Sequence, residues 1–273
     1  MPKHAVTTEY TLSTARLTHP LRLALVSDLH ERRADDILAL LRRKRPDLIL
    51  IAGDTFERYD DELRALRQGR KRVTRWLMAP AYLYNHAAMG ILSRKNPPSP
   101  ENATSFLSQA AKLAPVFLSL GNHEQKLLEE DFAFLKAHNI TLLDNSGVEA
   151  TVKGETLHIG GLSTIPDEAW LEEFAQPDGF KLLLCHHPEY FDTLIADKDI
   201  DLTLSGHNHG GQIRVFGKGV LSSRSGFFPK YDRGVFDNRL VVSAGCSNPV
   251  ALPRWGNPRE LVMIQLNPSY TIL

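Results

Sequence analysis

Seven side chains able to hold a divalent metal ion stand just past the ends of apolar, β-branched runs. They are Asp28 and His30 in D-x-H, Asp54 after Gly53, Asn122 in G-N-H-E, His186 in H-H, and His207 with His209 in G-H-x-H. Neutral imidazole and carboxylate oxygen suit manganese, iron, zinc or nickel, and the scarcity of positioned thiolates argues against an iron–sulfur or structural zinc site. Manganese is the first expectation. One carboxylate can bridge two ions roughly 3.5–4 Å apart, and such a pair lowers the pKa of a shared water and stabilises both oxygens of an in-line displacement. That chemistry cleaves phosphoesters. Asn122 brings a neutral amide oxygen, which leaves the site net positive charge for an anionic phosphate. If Asn122 ligates, His123 points elsewhere and is free to donate a proton to the leaving oxygen. Glu124 is placed to orient His123 or to cap a following helix.

The runs that carry these residues read as strands. Leu21–Val26, Leu48–Ala52, Val116–Leu120, Phe180–Cys185 and Leu202–Ser205 each end at a ligand-bearing loop, and Arg239–Ala244 and Leu261–Leu266 are two later strands. Helical spacing of apolar residues predicts helices over Asp35–Arg45, Asn102–Leu113 and Glu124–His138. An α/β architecture follows, in which ligands gather outside the carboxyl ends of the strands. A single Asp after an apolar run is usually a turn or cap residue, but five clusters in sequence converge on one sheet edge.

At 273 residues and 42% hydrophobic, the chain can bury a large core as one domain spanning 1–273. Lys plus Arg and Asp plus Glu both number 32, so no global field attracts nucleic acid, and a continuous basic stripe with interleaved aromatics is lacking. Nucleic acid is therefore not an expected partner. Cys185 and Cys246 offer no disulfide framework and are read as small packed hydrophobes. No stretch reads as a signal peptide or a spanning helix, so the expected location is cytoplasmic. His187 is read as a loop residue beside a ligand, and His4, His19, His86, His138 and His158 as ordinary residues.

In this order the motifs D-x-H, G-D, G-N-H-[D/E], H and G-H-x-H resemble those of the calcineurin-like metallophosphoesterases, from Asp28 to His209. The resemblance implies an α/β/β/α sandwich of two mixed sheets flanked by helices, and a metal-dependent phosphoric ester hydrolase with a metal-bound hydroxide as nucleophile. It also implies that Asp28, His30 and His209 hold one ion, Asn122, His186 and His207 the other, that Asp54 bridges them, and that His123 is the general acid. The H-N-H-G-G-Q stretch ending at Gln212, with Lys230–Gly234, resembles a bacterial branch that includes UDP-diacylglucosamine pyrophosphatases. Thr55–Arg58 resembles the protein Ser/Thr phosphatase pattern, with Glu57 where that pattern has Asp, which makes Arg58 a candidate phosphate contact. Tyr231 and Arg233 are candidate phosphate contacts or hairpin-closing residues.

Between Asp54 and Gly121 the chain is longer than that fold needs, and a helical insertion is expected at about 59–100. Within it, residues 69–95 place an apolar stripe (Val73, Trp76, Leu77, Leu83, Tyr84, Ile91) between basic ends, with Pro80 dividing the helix. Packing on its own domain and peripheral contact with a membrane both fit such a stripe. Three readings follow. One is a dinuclear hydrolase of a phosphorylated small molecule or lipid, the second a peripheral membrane hydrolase of a nucleotide-linked lipid pyrophosphate, and the third a non-catalytic scaffold of the same fold.

Overall fold

The computed structural model describes residues 4–59, 96–222, 226–249 and 254–269. Within these, strands β1 (Val6–Thr14), β2 (Leu21–Val26), β3 (Leu48–Ala52), β4 (Val116–Ser119), β5 (Ile140–Leu143) and β15 (Glu260–Pro268) form one six-stranded sheet in the order β1-β15-β2-β3-β4-β5. A second combines β6 (Ser146–Val152), β7 (Glu155–Leu162), β8 (Phe180–Cys185), β9 (Leu202–Ser205), β13 (Gly234–Phe236) and β14 (Leu240–Val242) in the order β13-β14-β9-β8-β7-β6. Both are mixed: β2 to β5 run parallel, as do β7, β8, β9 and β14, with antiparallel partners at β15–β2, β6–β7 and β13–β14.

Side-chain alternation within the strands explains the layering. Along β2, Leu21, Leu23 and Leu25 face the second sheet and pack with Ile159, Leu182 and Leu204, whereas Ala24 and Val26 face helices. Because successive side chains point to opposite faces, a strand buried on both reads as a continuous apolar run. The outer helices are α1 (Asp35–Lys44) and α2 (Pro100–Ala110), with Ile37, Leu41, Phe106 and Leu107 buried against the first sheet, and α3 (Glu129–Ala137), which adds Leu135. On the far side α4 (Glu168–Phe174) and a π-helical turn (Phe191–Ile195) cover the second sheet with Leu171, Phe191 and Ile195. The four layers are therefore helix, sheet, sheet, helix, as the sequence resemblance implies.

The five ligand-bearing strands form where expected, and α2 starts at Pro100, a favoured first helical position because proline's missing N–H has no helical partner there. The expected helix from Glu124 is shorter: α3 begins at Glu129, because the Glu124 carboxylate is drawn back among buried backbone amides. A small sheet of β10 (Ile213–Val215), β11 (Lys218–Ser222) and β12 (Gly226–Phe227) follows the last ligand loop. Residues 60–95, which contain almost all of the expected helical insertion and the whole 69–95 stripe, lie outside the described residues.

Candidate metal centre

The loops leaving β2 and β3 stay in register beyond the sheet. Asp28 N–H donates to Gly53 O, His30 N–H to Asp54 O and Glu31 N–H to Thr55 O, which extends the parallel ladder into the loops that carry three expected ligands. These loops are strained. Asp28, His30, Glu31, Asp54, His207 and His209 all have φ between 47° and 72°, a left-handed conformation that costs a non-glycine residue of order 1–3 kcal/mol and persists where surrounding structure enforces it.

Enforcement comes from glycines and from Glu124. A Cβ at Gly121 would stand 2.2 Å from Asp54 Oδ1, and one at Gly206 would stand 2.6 Å from Asp28 Oδ2, so the chain approaches both carboxylates closer than any side chain allows. Glu124, fully buried, accepts from the N–H groups of Asp54 (2.8 Å), Thr55 (2.6 Å), Phe56 (2.9 Å) and Gly121 (2.6 Å), tying the Asp54 loop to the Asn122 loop. Burial and the Asp54 charge push its carboxyl up to about 7 against the pull of those amides. It neither orients the His123 ring nor caps α3, contrary to both sequence-based expectations; Asp131 does the capping by accepting from Leu128 N–H.

Among the described residues four groups of side chains come within ligand-sharing distance; two consist wholly of expected ligands, Asp28 with His30 and His209, and Asp54 with His186 and His207, while the others join His30 with Glu57 and His123, and His207 with His187 and Glu189. Asp54 Oδ2 faces both groups of expected ligands: it lies 3.6 Å from His30 Nε2, 3.1 Å from His186 Nε2 and 3.8 Å from His123 Nε2. His209 Nε2 and His30 Nε2 lie 3.7 and 3.8 Å from Asp28 Oδ1. Among the described residues three buried polar atoms here have no hydrogen-bond partner: His30 Nε2, Asp54 Oδ2 and Asn122 Oδ1. Buried polar atoms are ordinarily paired, so three orphaned donors and acceptors of metal-ligating type, converging at one sheet edge, fit cations.

His30, His123 and His186 are each aimed through Nδ1. His186 Nδ1 donates to Ala52 O at 2.7 Å, and the Glu57 carboxylate reaches His30 Nδ1 (2.7 Å) with one oxygen and His123 Nδ1 (2.9 Å) with the other. The Tyr59 hydroxyl joins Glu57 and His123 Nδ1. Burial opposes charge throughout, yet His123 and His30 hold the Glu57 carboxyl well below the carboxylate range, and Asp28 and Glu57 push His30 up to about 10. Asp54 similarly raises His186 to about 9, whereas burial dominates at His209 and takes it down to about 3. Sequence reasoning named Glu57 only as a departure from the phosphatase pattern and passed over Tyr59; the available signal was that ligating histidines need an orienting acceptor and Glu57 follows Asp54 by three residues.

The remaining candidates have other employment. Arg58 is buried, paired through Nε and Nη2 with Asp131 (2.7 and 2.8 Å) and through Nη1 with Glu31 (2.5 Å), so its fork is taken up by carboxylates in place of a phosphate. The Tyr231 ring is 4% exposed in the outer core and its hydroxyl donates to Asp192 at 2.6 Å. Arg233 pairs with Glu260 at 3.1 Å and donates to Thr8. The three candidate phosphate contacts thus read as structural clamps. His187 packs its ring on His207 and turns Nδ1 to Glu189, and both cysteines are buried thiols whose pKa values burial raises.

The sequence profile of the calcineurin-like phosphoesterases matches residues 21–211, well over half of the chain and all seven expected ligands. The chain belongs to this family. It is 28% identical over 221 residues to the uncharacterized protein YpbG of Bacillus subtilis, covering 79% of this chain and 71% of that one. A putative metallophosphoesterase of Caenorhabditis elegans is 28% identical over 246 residues, 82% of this chain but 43% of the worm protein. Phosphodiesterase YaeI of Escherichia coli is 26% identical over 211 residues, covering 72% of this chain and 63% of YaeI. Family membership and the His/Asp clusters make the protein a metal-dependent phosphoric ester hydrolase. No helix among the described residues is long and apolar enough to cross a membrane.

Proposed function

We propose that the protein is a dinuclear phosphoesterase in which Asp28, His30 and His209 would hold one divalent ion and Asn122, His186 and His207 a second, with Asp54 as the residue that would be shared between them. The observation that carries this reading is the position of the buried Asp54 Oδ2, 3.6 Å from His30 Nε2 of one group and 3.1 Å from His186 Nε2 of the other. When bound, two such ions supply Lewis-acid stabilisation of phosphate oxygens and lower the pKa of water. The protein's own part is positional. Glu57 fixes the tautomer and direction of both His30 and His123, and His123, its ring 13% exposed beside Asp54, holds a proton where a leaving oxygen can take it. Manganese, iron, zinc or nickel all suit these ligands. The name of YaeI favours a phosphodiester among phosphorylated substrates.

Metal analysis paired with kinetics tests the assignment. The manganese-loaded protein should bind about two ions per chain and cleave a 4-nitrophenyl phosphate ester, Asp54→Asn should bind fewer and lose at least ~100-fold in kcat, and His123→Gln should keep its metal while losing roughly 10²–10⁴-fold. Full activity in Asp54→Asn would overturn the bridging role, and loss of metal from His123→Gln would make that residue a ligand instead of the acid.

A further inference from the structure

Beside the metal centre lies a cavity of about 390 Å³ lined by the turn after His30 (Arg32, Arg33), the start of α1 (Asp35, Asp36) and the loop after β14 (Ser247, Asn248). Of the arginines and aspartates lining it, all but one are in ion pairs. Arg33 pairs with Asp35 at 2.9 Å, and Arg259 pairs with Asp36 at 2.6 Å. Arg32 is 6% exposed and has no carboxylate in salt-bridge range among the described residues; its Nη1 donates to the Asn96 carbonyl, and its buried Nε has no partner. Ser247, 2% exposed and part of the same lining, likewise has a buried Oγ without a hydrogen-bond partner among the described residues. A buried cation left unpaired is costly, and a guanidinium is the group best shaped to accept two oxygens of one anion.

We infer that this cavity is an anion subsite in which the Arg32 guanidinium and the Ser247 hydroxyl take a phosphate group other than the one being hydrolysed. Its walls adjoin the reaction centre. Arg32 N–H closes a turn onto Leu29 O between Asp28 and His30, and Cys246 N–H donates to Ser27 O, which seats the Ser247 loop against the Asp28 loop. The subsite gives the proposed hydrolase a substrate class, molecules carrying a second phosphate, and rests on that proposal for the reaction though not for the binding. Asn96 and Asn248 also line the cavity, their amides engaged with the Arg33 backbone and with Gln212.

The test uses the metal-loaded full chain, with inorganic phosphate and an alkane bisphosphate as inhibitors of 4-nitrophenyl phosphate hydrolysis, and calorimetry for phosphate stoichiometry. A bisphosphate that inhibits at least ~10-fold more tightly than phosphate, with Arg32→Gln losing that advantage, identifies a second phosphate of the substrate. A second equivalent of inorganic phosphate bound by the parent and missing in Arg32→Gln, without a bisphosphate advantage, identifies a free anion in the same subsite. Arg32→Gln should also melt no lower than the parent in phosphate-free buffer, since it removes an unpaired buried charge. Identical inhibition ratios and stoichiometry in parent and variant would overturn the inference, as would a variant that melts several degrees lower, the mark of a purely structural arginine. If neither protein cleaves the ester, the hydrolase proposal fails while the calorimetry still decides the subsite.

Discussion

At the scale of single residues, Glu57 emerges as the group on which the two imidazoles depend. One carboxylate fixes a ligand histidine and the acid histidine together, so Glu57→Gln should lower metal affinity and kcat in the same variant, by roughly 10–100-fold as orienting partners of ligands generally do. A variant that changed kcat alone would show that His30 needs no such partner. Proton competition is the second consequence. In protein stripped of metal, His30 and His186 titrate near 10 and 9, so both carry a proton at neutral pH that a cation must displace, whereas His209, near 3, carries none. The sign follows: affinity should rise with pH through the neutral range, by about tenfold per pH unit for each proton displaced, and level off above the two titrations. Metal titrations in steps from pH 6 to 9 check this, and an affinity indifferent to pH would mean that the histidines are neutral before binding.

At the scale of elements, the ligands were legible because each ends a run of buried β-branched or Leu residues, and their types admit few chemistries. The parts that aim them were not. Glu124 looks like an ordinary helix-capping acid next to a motif, and only the fold reveals that four amides from two loops converge on it. Strand β1 escaped notice because its half-buried alternation (Val6, Thr8, Tyr10, Leu12) is largely polar, and β6 for the same reason, as befits strands at sheet edges. Glu124→Ala should therefore cost more than a typical surface change, about 2–4 kcal/mol in denaturant unfolding, since buried amides lose their acceptor. Arg58→Ala should likewise cost about 3–5 kcal/mol by leaving Asp131 and Glu31 as uncompensated buried acids, and a variant of normal stability with raised KM would restore it as a substrate contact. Gly121→Ala should abolish metal binding, because its methyl would collide with Asp54.

At the scale of the molecule, the sheets form a fixed platform and the strained ligand loops sit at its rim. Cations that bind only the folded chain stabilise it by mass action, so chelation should lower the melting temperature and excess metal should raise it in a concentration-dependent way; an unchanged melting curve on stripping would indicate that the rim holds itself without ions. Four layers were foreseeable from the family resemblance and an α/β architecture from the apolar strands, while the second sheet's β6–β7 hairpin and the small β10–β12 sheet carry too little periodicity to announce themselves. The hydrogen bonds that run on from β2 and β3 into the loops have one more consequence. Because Asp28, His30 and Glu31 are stitched to Gly53, Asp54 and Thr55, neither loop can gain or lose a residue alone without slipping two ligands out of step. Their lengths are heritable only as a pair, and insertions among descendants of this chain should collect everywhere except in that seam.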